Sequence, residues 1–220
     1  VSALVRDHDL WLRDPDGTER RLTSDGSAED RWTENIRFAP DRRHFVATRI
    51  QKPEAHPVNL IRVAPKNQIE PELETFQYLK PGDRIAHPHP VVFEVATGRR
   101  IEPDESLFPT PWSISRVQWH PEGDRVRFLY NQRGHQALRL VEVDVNSGET
   151  RLLIDESSPT FLDYAGKLYL HVMEGGDRAI WMSERSGWNH LEMVDLQTGD
   201  RTPITSGPWV VRAVDDVDEA

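Results

Sequence analysis

A strand and turn that recur about every fifty residues limit how this chain can fold more than any other feature. Three segments of alternating apolar and polar residues each end in a polar turn and a glycine, at Gly98, Gly148 and Gly199. The spacings are 50 and 51 residues. A glycine tolerates a positive φ and lets the chain return as a second strand, so each segment predicts a β-hairpin. A fourth segment of the same shape, Leu10–Gly17, precedes Gly98 by 81 residues, about one period plus 31 further residues.

Two further motifs repeat in the same phase. Phe38–Phe45 matches Trp119–Phe128: in both, a strand ends in an aromatic residue, a proline and an acid form the turn, and a new strand begins. Residues 131–138 match residues 183–191. Each period therefore contains about four short strands joined by hairpin turns.

Repeats of 40 to 50 residues with four strands are typical of propeller blades. We therefore predict an all-β fold, a partial β-propeller of about four blades with four-stranded antiparallel sheets, as a single domain over residues 1–220. A long amphipathic helical pattern is absent from the sequence. The predicted blade segments are 1–26, 31–102, 113–155 and 159–206, and residues 209–214 are predicted to begin another strand.

A proline-rich insertion interrupts the second blade at about residues 51–89. Together with Pro90 just beyond it, it contains seven prolines, a density that excludes a regular central strand over most of its length. Two stretches, Val58–Val63 and Leu73–Tyr78, are able to pair as edge strands. We interpret the insertion as an arm or long hairpin that leaves the propeller.

Composition excludes several classes of function. The formal net charge is −10 and the basic residues are not clustered, which argues against nucleic-acid binding. Cysteine is absent, so neither a disulfide framework nor a thiolate metal site is possible. Apolar runs are too short to cross a membrane.

The motifs of catalysis and metal binding are also missing. A serine nucleophile of the α/β-hydrolase type needs a Gly-x-Ser-x-Gly turn, which the sequence lacks, so we predict no catalytic residues. His87 and His89 are spaced to point to one side of an extended segment, but only Asp83 lies near them in sequence. A zinc site needs three or four ligands, so we interpret this as a proline-rich surface segment and predict neither a metal nor a cofactor.

Four stretches together resemble the propeller of the dipeptidyl peptidase IV branch of the S9 serine peptidases. They occur in the order that the family has, and the similarity as a whole spans nearly the whole chain; the stretches are 76–83, 129–135, 180–191 and 205–211. The resemblance implies an eight-bladed propeller that caps an α/β-hydrolase domain and filters access to it. On that basis this chain would hold about half of the propeller, and the hydrolase domain would follow Ala220.

One departure from the family concerns substrate binding. The resemblance implies a Glu-Glu pair between Gly26 and Phe38 that binds the free amino terminus of a peptide, but this segment is shorter here and the pair is absent. Glu29, Asp30 and Glu34 are the acids nearby. Carboxylates attract an ammonium group, so we take these three as candidate substrate-binding residues. The alternative is that they are ordinary charges of a surface loop.

We therefore predict a non-catalytic propeller portion that gates and helps bind peptide substrate, with the peptide and the hydrolase domain as its partners. The family resemblance favours a periplasmic or secreted location, and exposed blade edges predict self-association. A stand-alone propeller used as an interaction scaffold, and a propeller that binds a small molecule or sugar, remain alternatives. Arg133 and Arg185 recur 52 residues apart, and we interpret them as ties between neighbouring blades rather than as carboxylate-binding groups.

Overall fold

The computed structural model describes residues 1–219, and nearly all of their regular structure is β-strand. The strands are β1 (Ser2–Arg6), β2 (Asp9–Arg13), β3 (Glu19–Arg21), β4 (Asp30–Phe38), β5 (His44–Gln51), β6 (Pro57–Arg62), β7 (Glu72–Gln77), β8 (His87–Glu94), β9 (Arg100–Ile101), β10 (Pro111–Trp119), β11 (Arg125–Gln132), β12 (Ala137–Asp144), β13 (Thr150–Ser157), β14 (Leu170–Val172), β15 (Arg178–Ser183), β16 (His190–Asp195) and β17 (Arg201–Pro203). A single turn of 3-10 helix, Glu105–Leu107, joins the second sheet to the third. No helix among the described residues has the length and apolar character that a membrane span requires.

Four antiparallel sheets follow one another along the chain. Sheet 1 has the order β1-β2-β3, sheet 2 has β4-β5-β8-β9, sheet 3 has β10-β11-β12-β13 and sheet 4 has β14-β15-β16-β17. Within each sheet, neighbouring strands are neighbours in sequence except where β6 and β7 intervene. The predicted all-β fold, a partial propeller of about four blades, is confirmed.

The repeated glycines occupy the same place in each blade. Gly98, Gly148 and Gly199 have φ values of 76°, 77° and 80°. The N–H of each donates to the carbonyl four residues earlier, over 2.8, 2.8 and 2.9 Å. A side chain at such a φ would be strained, which explains why glycine recurs at this position.

Three apolar clusters lie between successive sheets. Phe45, Phe93 and Leu12 belong to the cluster between sheets 1 and 2. Within sheet 3, Phe128 faces sheet 2 whereas its neighbour Leu129 faces sheet 4. Successive side chains of a strand point to opposite faces, so a sheet buried on both faces needs a run of apolar residues, as in Phe128–Tyr130. Stacking of the blades therefore supplies the hydrophobic core.

The insertion forms a two-stranded hairpin that leaves sheet 2, and we call residues 52–86 the arm. Its strands pair from Pro57 opposite Gln77 to Arg62 opposite Glu72. The strands on either side of it, β5 and β8, nevertheless pair directly along their whole length. The arm is thus an excursion between two adjacent strands of one blade.

The segment around His87 and His89 differs from the sequence-based expectation. It is a regular strand, β8, although it contains Pro88 and Pro90. Strand β9 pairs only with Val92 and Phe93, so the half of β8 that contains Pro88 and Pro90 is open on that edge. Proline has no backbone N–H, and on an open edge its absence removes no hydrogen bond between strands.

The prediction of a strand over residues 209–214 is wrong. Within residues 1–219 this segment has no partner strand and is held instead by two hydrogen bonds: Val211 N–H donates to Asn189 O over 2.8 Å, and Asn189 Nδ2 donates to Val211 O over 2.7 Å. The rings of Trp209 and His190 also pack in a T-shaped arrangement, with 5.0 Å between the ring centroids.

Candidate functional site

The first strands of the four sheets lie side by side. Val5 N–H of β1 donates to Glu34 Oε1 of β4 over 3.2 Å. The Trp119 indole of β10 donates to the carbonyl of Arg37 in β4 over 2.9 Å. Arg116 of β10 donates to the carbonyl of Leu170 in β14 over 2.9 Å. These four strands, which we call the first-strand row, share one surface of the propeller.

Strand β4 bulges in its middle. Its register with β5 runs from Trp32 opposite Arg49 to Ile36 opposite Ala47, so two extra residues are accommodated on the β4 side. Thr33 Oγ1 donates to the carbonyl of Thr48 over 2.9 Å and holds the bulge against β5. A bulge re-aims a side chain, and here it leaves Glu34 exposed on the first-strand row.

Strand β10 bulges in the corresponding region. Its register with β11 runs from Ser115 opposite Leu129 to Gln118 opposite Arg127, with Arg116 in the bulge at a φ of 50°. A positive φ is uncommon outside glycine, and in this conformation the Arg116 side chain donates to the carbonyl of Leu170 in the next sheet. A cavity of about 330 Å³ opens beside the bulge, lined by Arg37, Arg116, Val117, Gln118 and Leu170. The row thus presents a carboxylate in one bulge and guanidinium groups beside the next.

The three acids predicted from the sequence have different environments. Glu29 is exposed and forms an ion pair with Lys52, with 3.2 Å between Nζ and Oε1. Asp30 is paired with Arg49, with 2.7 Å between Nε and Oδ1. Within residues 1–219 Glu34 forms no ion pair and accepts only the N–H of Val5. The acids therefore do not form one shared cluster, and Glu34 is the one whose charge is left without a cation.

A charged network surrounds Asp30. Arg49 and Arg100 both contact Asp25 Oδ2, each over 2.8 Å, and both guanidinium groups lie over the ring of Trp32. Burial opposes the charged form of Asp25, but hydrogen bonding and attraction from Arg100 and Arg49 outweigh it and lower its pKa. This network covers the end of the cluster between sheets 1 and 2, which indicates a structural role for Asp30.

The same network borders a cavity of about 280 Å³. His89 lies in it between two carboxylates: Nε2 is 2.9 Å from Glu102 Oε2, and Nδ1 contacts Glu105. The residues around the cavity are Asp30, Arg49, Gln51, His87, His89, Arg100, Glu102 and Glu105. His89 thus pairs with acids that follow β9 in sequence.

Arg185 behaves as the sequence predicted, whereas Arg133 does not. Arg185 donates to the carbonyl of Asp155 over 3.1 Å and lies 3.4 Å from Glu156, so it ties sheet 4 to sheet 3. The Arg133 side chain forms no ion pair with any described residue and borders a cavity of about 230 Å³ beside the base of the arm. The repeat thus preserves the position of this arginine but not its contact.

Sequence reasoning missed Arg37 and Arg116 as members of the site. For Arg116 a signal existed, because Ile114, Val117 and Trp119 break the period-2 alternation by one residue, as a bulge of one residue does. For β4 no such signal exists, because two extra residues leave the alternation unchanged.

Comparison with known proteins shows the family of the chain. The family model described as "Dipeptidyl peptidase IV (DPP IV) N-terminal region" matches residues 2–220. The probable dipeptidyl peptidase 4 of Emericella nidulans is 24% identical over 262 residues, which cover 99% of this chain and 31% of that protein. The dipeptidyl peptidase 4 of Trichophyton tonsurans is 23% identical over 98% of this chain and 30% of its own length.

Solved structures agree on the fold. The crystal structure of Porphyromonas gingivalis dipeptidyl peptidase 4 superimposes with a TM-score of 0.74 at 20% identity, over 99% of this chain and 32% of that one. A putative dipeptidyl aminopeptidase IV from Bacteroides ovatus gives a TM-score of 0.62 at 15% identity, over 96% of this chain and 33% of that one. The chain spans about a third of the length of the relatives it matches. It belongs to the family of dipeptidyl peptidase IV N-terminal regions.

Proposed function

We propose that this chain is the non-catalytic propeller portion of a dipeptidyl peptidase IV-like serine peptidase of the S9 family. In this role it gates, and helps to bind, the peptide substrate of an α/β-hydrolase domain. Three observations support the proposal: the family membership, the third of a peptidase's length that the chain spans, and the absence of a nucleophile turn from its sequence.

The observation that carries the binding role is the exposed carboxylate of Glu34 on the bulge of β4. A peptide with a free amino terminus carries an ammonium group, and an unpaired carboxylate attracts it. Glu29 and Asp30 already have Lys52 and Arg49 as partners, so we assign the ammonium contact to Glu34. Arg37 and Arg116 on the same row suit carbonyl or carboxylate oxygens farther along a peptide, because guanidinium groups donate several hydrogen bonds in one plane.

Calorimetric titration with a short peptide tests the binding role. We expect a peptide with a free amino terminus to bind more tightly than its N-acetylated form, and Glu34→Gln to weaken binding of the free peptide about tenfold. Glu149→Gln, at an exposed acid in a turn of sheet 3, is the matched control and should leave the affinity unchanged. Glu29→Gln and Asp30→Asn show whether the other two acids contribute. Equal affinity for the free and acetylated peptides would contradict the assignment of the ammonium contact to Glu34.

The gating role needs a measurement on the protein that carries the hydrolase domain. A Gly-x-Ser-x-Gly turn followed by an acid and a histidine in the reading frame after residue 220 would identify that domain. In that protein we expect Glu34→Gln to lower kcat/KM for peptides with a free amino terminus and to spare acetylated ones. A reading frame that instead supplies only further blades would contradict the peptidase assignment.

A stand-alone interaction scaffold is the second candidate, and the surface of the arm is the observation that favours it. Ile61, Ile69 and Leu73 are 68%, 93% and 68% exposed. Exposed apolar residues concentrated on one element are typical of protein contact surfaces. The reading frame after residue 220 also separates this candidate from the first.

A further inference from the structure

A group of metal-ligand side chains lies at the base of the arm, away from the first-strand row. Glu54 and His56 are on the leg that leaves sheet 2, and Asp83 is on the leg that returns to it. The two legs pair through backbone bonds: Glu54 N–H donates to Arg84 O over 2.8 Å, and Tyr78 N–H donates to His56 O over 2.9 Å. Ligand atoms of the three side chains all lie within 4.8 Å of one another.

The ring of His56 is directed at Asp83 without a hydrogen bond. Nδ1 lies 2.5 Å from Asp83 Oδ2, yet this nitrogen is buried and has no hydrogen-bond partner among the described residues. The imidazole and the carboxylate thus form a close pair, which is an ion pair when the imidazole is protonated. A zinc ion with bonds of about 2.0–2.1 Å holds two ligand atoms roughly 3 Å or more apart, so an ion that enters here would widen this contact and take both atoms as ligands.

The carboxylates are held in place and lack a basic partner. Asp83 Oδ2 accepts the N–H of Lys80 over 2.6 Å, and Glu54 Oε2 accepts the N–H of Arg84 over 3.4 Å. Within residues 1–219, neither carboxylate forms an ion pair with a lysine or arginine side chain. Two negative charges beside one imidazole therefore lack a compensating cation, and backbone donors orient them as supporting groups orient metal ligands.

We propose that Glu54, His56 and Asp83 bind a first-row divalent metal ion of the zinc type. One imidazole nitrogen and two carboxylate oxygens are ligands that zinc accepts, and three protein ligands leave a fourth position for water. The ion joins the outgoing and returning legs and fixes the arm relative to sheet 2. No sequence motif indicates this site, because His56 and Asp83 are 27 residues apart and meet only when the arm folds back.

A second group of the same composition shows what makes the first one suitable. His120, Glu122 and Asp124 also have ligand atoms within 4.8 Å. There, however, the guanidinium of Arg125 lies 3.1 and 3.3 Å from the two ring nitrogens of His120. A cation already occupies that position, so we expect no metal there.

Calorimetric titration of the 220-residue chain with zinc chloride tests the proposal. We expect the chain to bind one zinc ion tightly, and we expect the zinc affinity to be at least tenfold weaker in His56→Ala and in Asp83→Asn. Glu122→Gln, in the second group, is the matched control and should bind as the unaltered chain does. Asp83→Asn changes shape little, so it remains informative if His56→Ala disturbs the arm, and far-ultraviolet circular dichroism shows that each variant is folded.

Limited proteolysis gives a second, independent measurement. Zinc should slow cleavage within residues 52–86 in the unaltered chain and should not do so in Asp83→Asn, because an ion joining the legs suppresses local opening. The proposal would be overturned if the chain bound no zinc ion tightly, or if the unaltered chain and both ligand variants had equal zinc affinity.

Discussion

Arg127 and Glu142 form an ion pair that is buried on both sides. Nε and Oε2 are 2.6 Å apart, and each side chain is 3% exposed. Arg127 also donates to the carbonyl of Gly176 in sheet 4, and Arg151 contacts the other oxygen of Glu142 over 2.6 Å. The pair therefore connects two strands of sheet 3 to a turn of the next blade.

Removing one member of this pair should be costly. Glu142→Gln leaves the Arg127 charge buried with weaker compensation, and we expect a loss of about 3 kcal/mol in the free energy of unfolding, measured with urea. The double variant Arg127→Met, Glu142→Leu should lose less, because no unpaired charge remains. A loss below about 1 kcal/mol for Glu142→Gln, similar to that of the surface variant Glu149→Gln, would contradict this prediction.

Asp9 should make stability depend on pH in the acid range. Burial opposes its charged form, but hydrogen bonds from Arg21 (2.5 Å), Gly26 N–H (2.9 Å) and Thr23 (2.8 Å) outweigh burial and hold its pKa below the ordinary value of 3.8. A lowered pKa in the folded state stabilises the fold fully above pH 3.8, and this contribution is lost as the pH falls from 3.8 through the lowered pKa.

The variant Asp9→Asn tests this linkage. We expect it to lower the free energy of unfolding by about 1–3 kcal/mol at pH 7, and the difference from the unaltered chain should shrink below pH 3.8. Urea unfolding at several pH values between about 2 and 7 measures both quantities. A difference that stays constant over this range would show that Asp9 is not the group responsible.

Gly176 should not tolerate a side chain. Its φ is 80°, and a Cβ atom there would lie 2.7 Å from His120 Cδ2 and 2.8 Å from Pro121 Cδ. We expect Gly176→Ala to cost about 2–4 kcal/mol, from backbone strain plus overlap. Gly187→Ala is the matched control: its φ is 90° but its Cβ would meet open space, so only the strain of about 1–2 kcal/mol should appear. Thermal unfolding of both variants measures the difference, and equal losses would rule out the overlap.

The 220-residue chain should self-associate through its sheet edges. Among residues 1–219, each sheet ends in a strand with no partner on its outer side, and β3 is that strand in the three-stranded sheet 1. Unpaired edges template pairing with another chain. We expect sedimentation velocity to show a weight-average mass that rises with concentration, and Glu19→Pro, which removes an outward-facing N–H from β3, to reduce the effect. A single monomeric species at high concentration would contradict this prediction.

The spacing of Gly98, Gly148 and Gly199 was sufficient to predict the blades, because each glycine marks a turn whose φ other residues adopt only with strain. The contacts between blades could not be predicted in the same way. Arg133 and Arg185 hold equivalent places in the repeat, yet among residues 1–219 only the Arg185 side chain meets a partner on the preceding sheet, since that contact depends on Asp155 and Glu156 rather than on the repeat itself.

The sequence named Glu29, Asp30 and Glu34 together as candidates and could not distinguish among them. The difference between Glu34 and Asp30 depends on which of them meets Arg49 of β5. The bulge of β4 leaves the alternation of Trp32, Ile36 and Phe38 intact, so the sequence pattern contains no trace of it. Pairings between segments far apart in sequence, such as His56 with Asp83, also require the folded chain.

The arm begins and ends at two strands, β5 and β8, that are already hydrogen-bonded to each other from Gln51 opposite His87 onward. The sheet would therefore close in the same way if a tight two-residue connection replaced the whole excursion, because loop length adds little to the free energy of closure. Gln51 and His87 thus mark a natural grafting point, at which evolution or a protein engineer can exchange one peptide for another while the blade keeps its packing order.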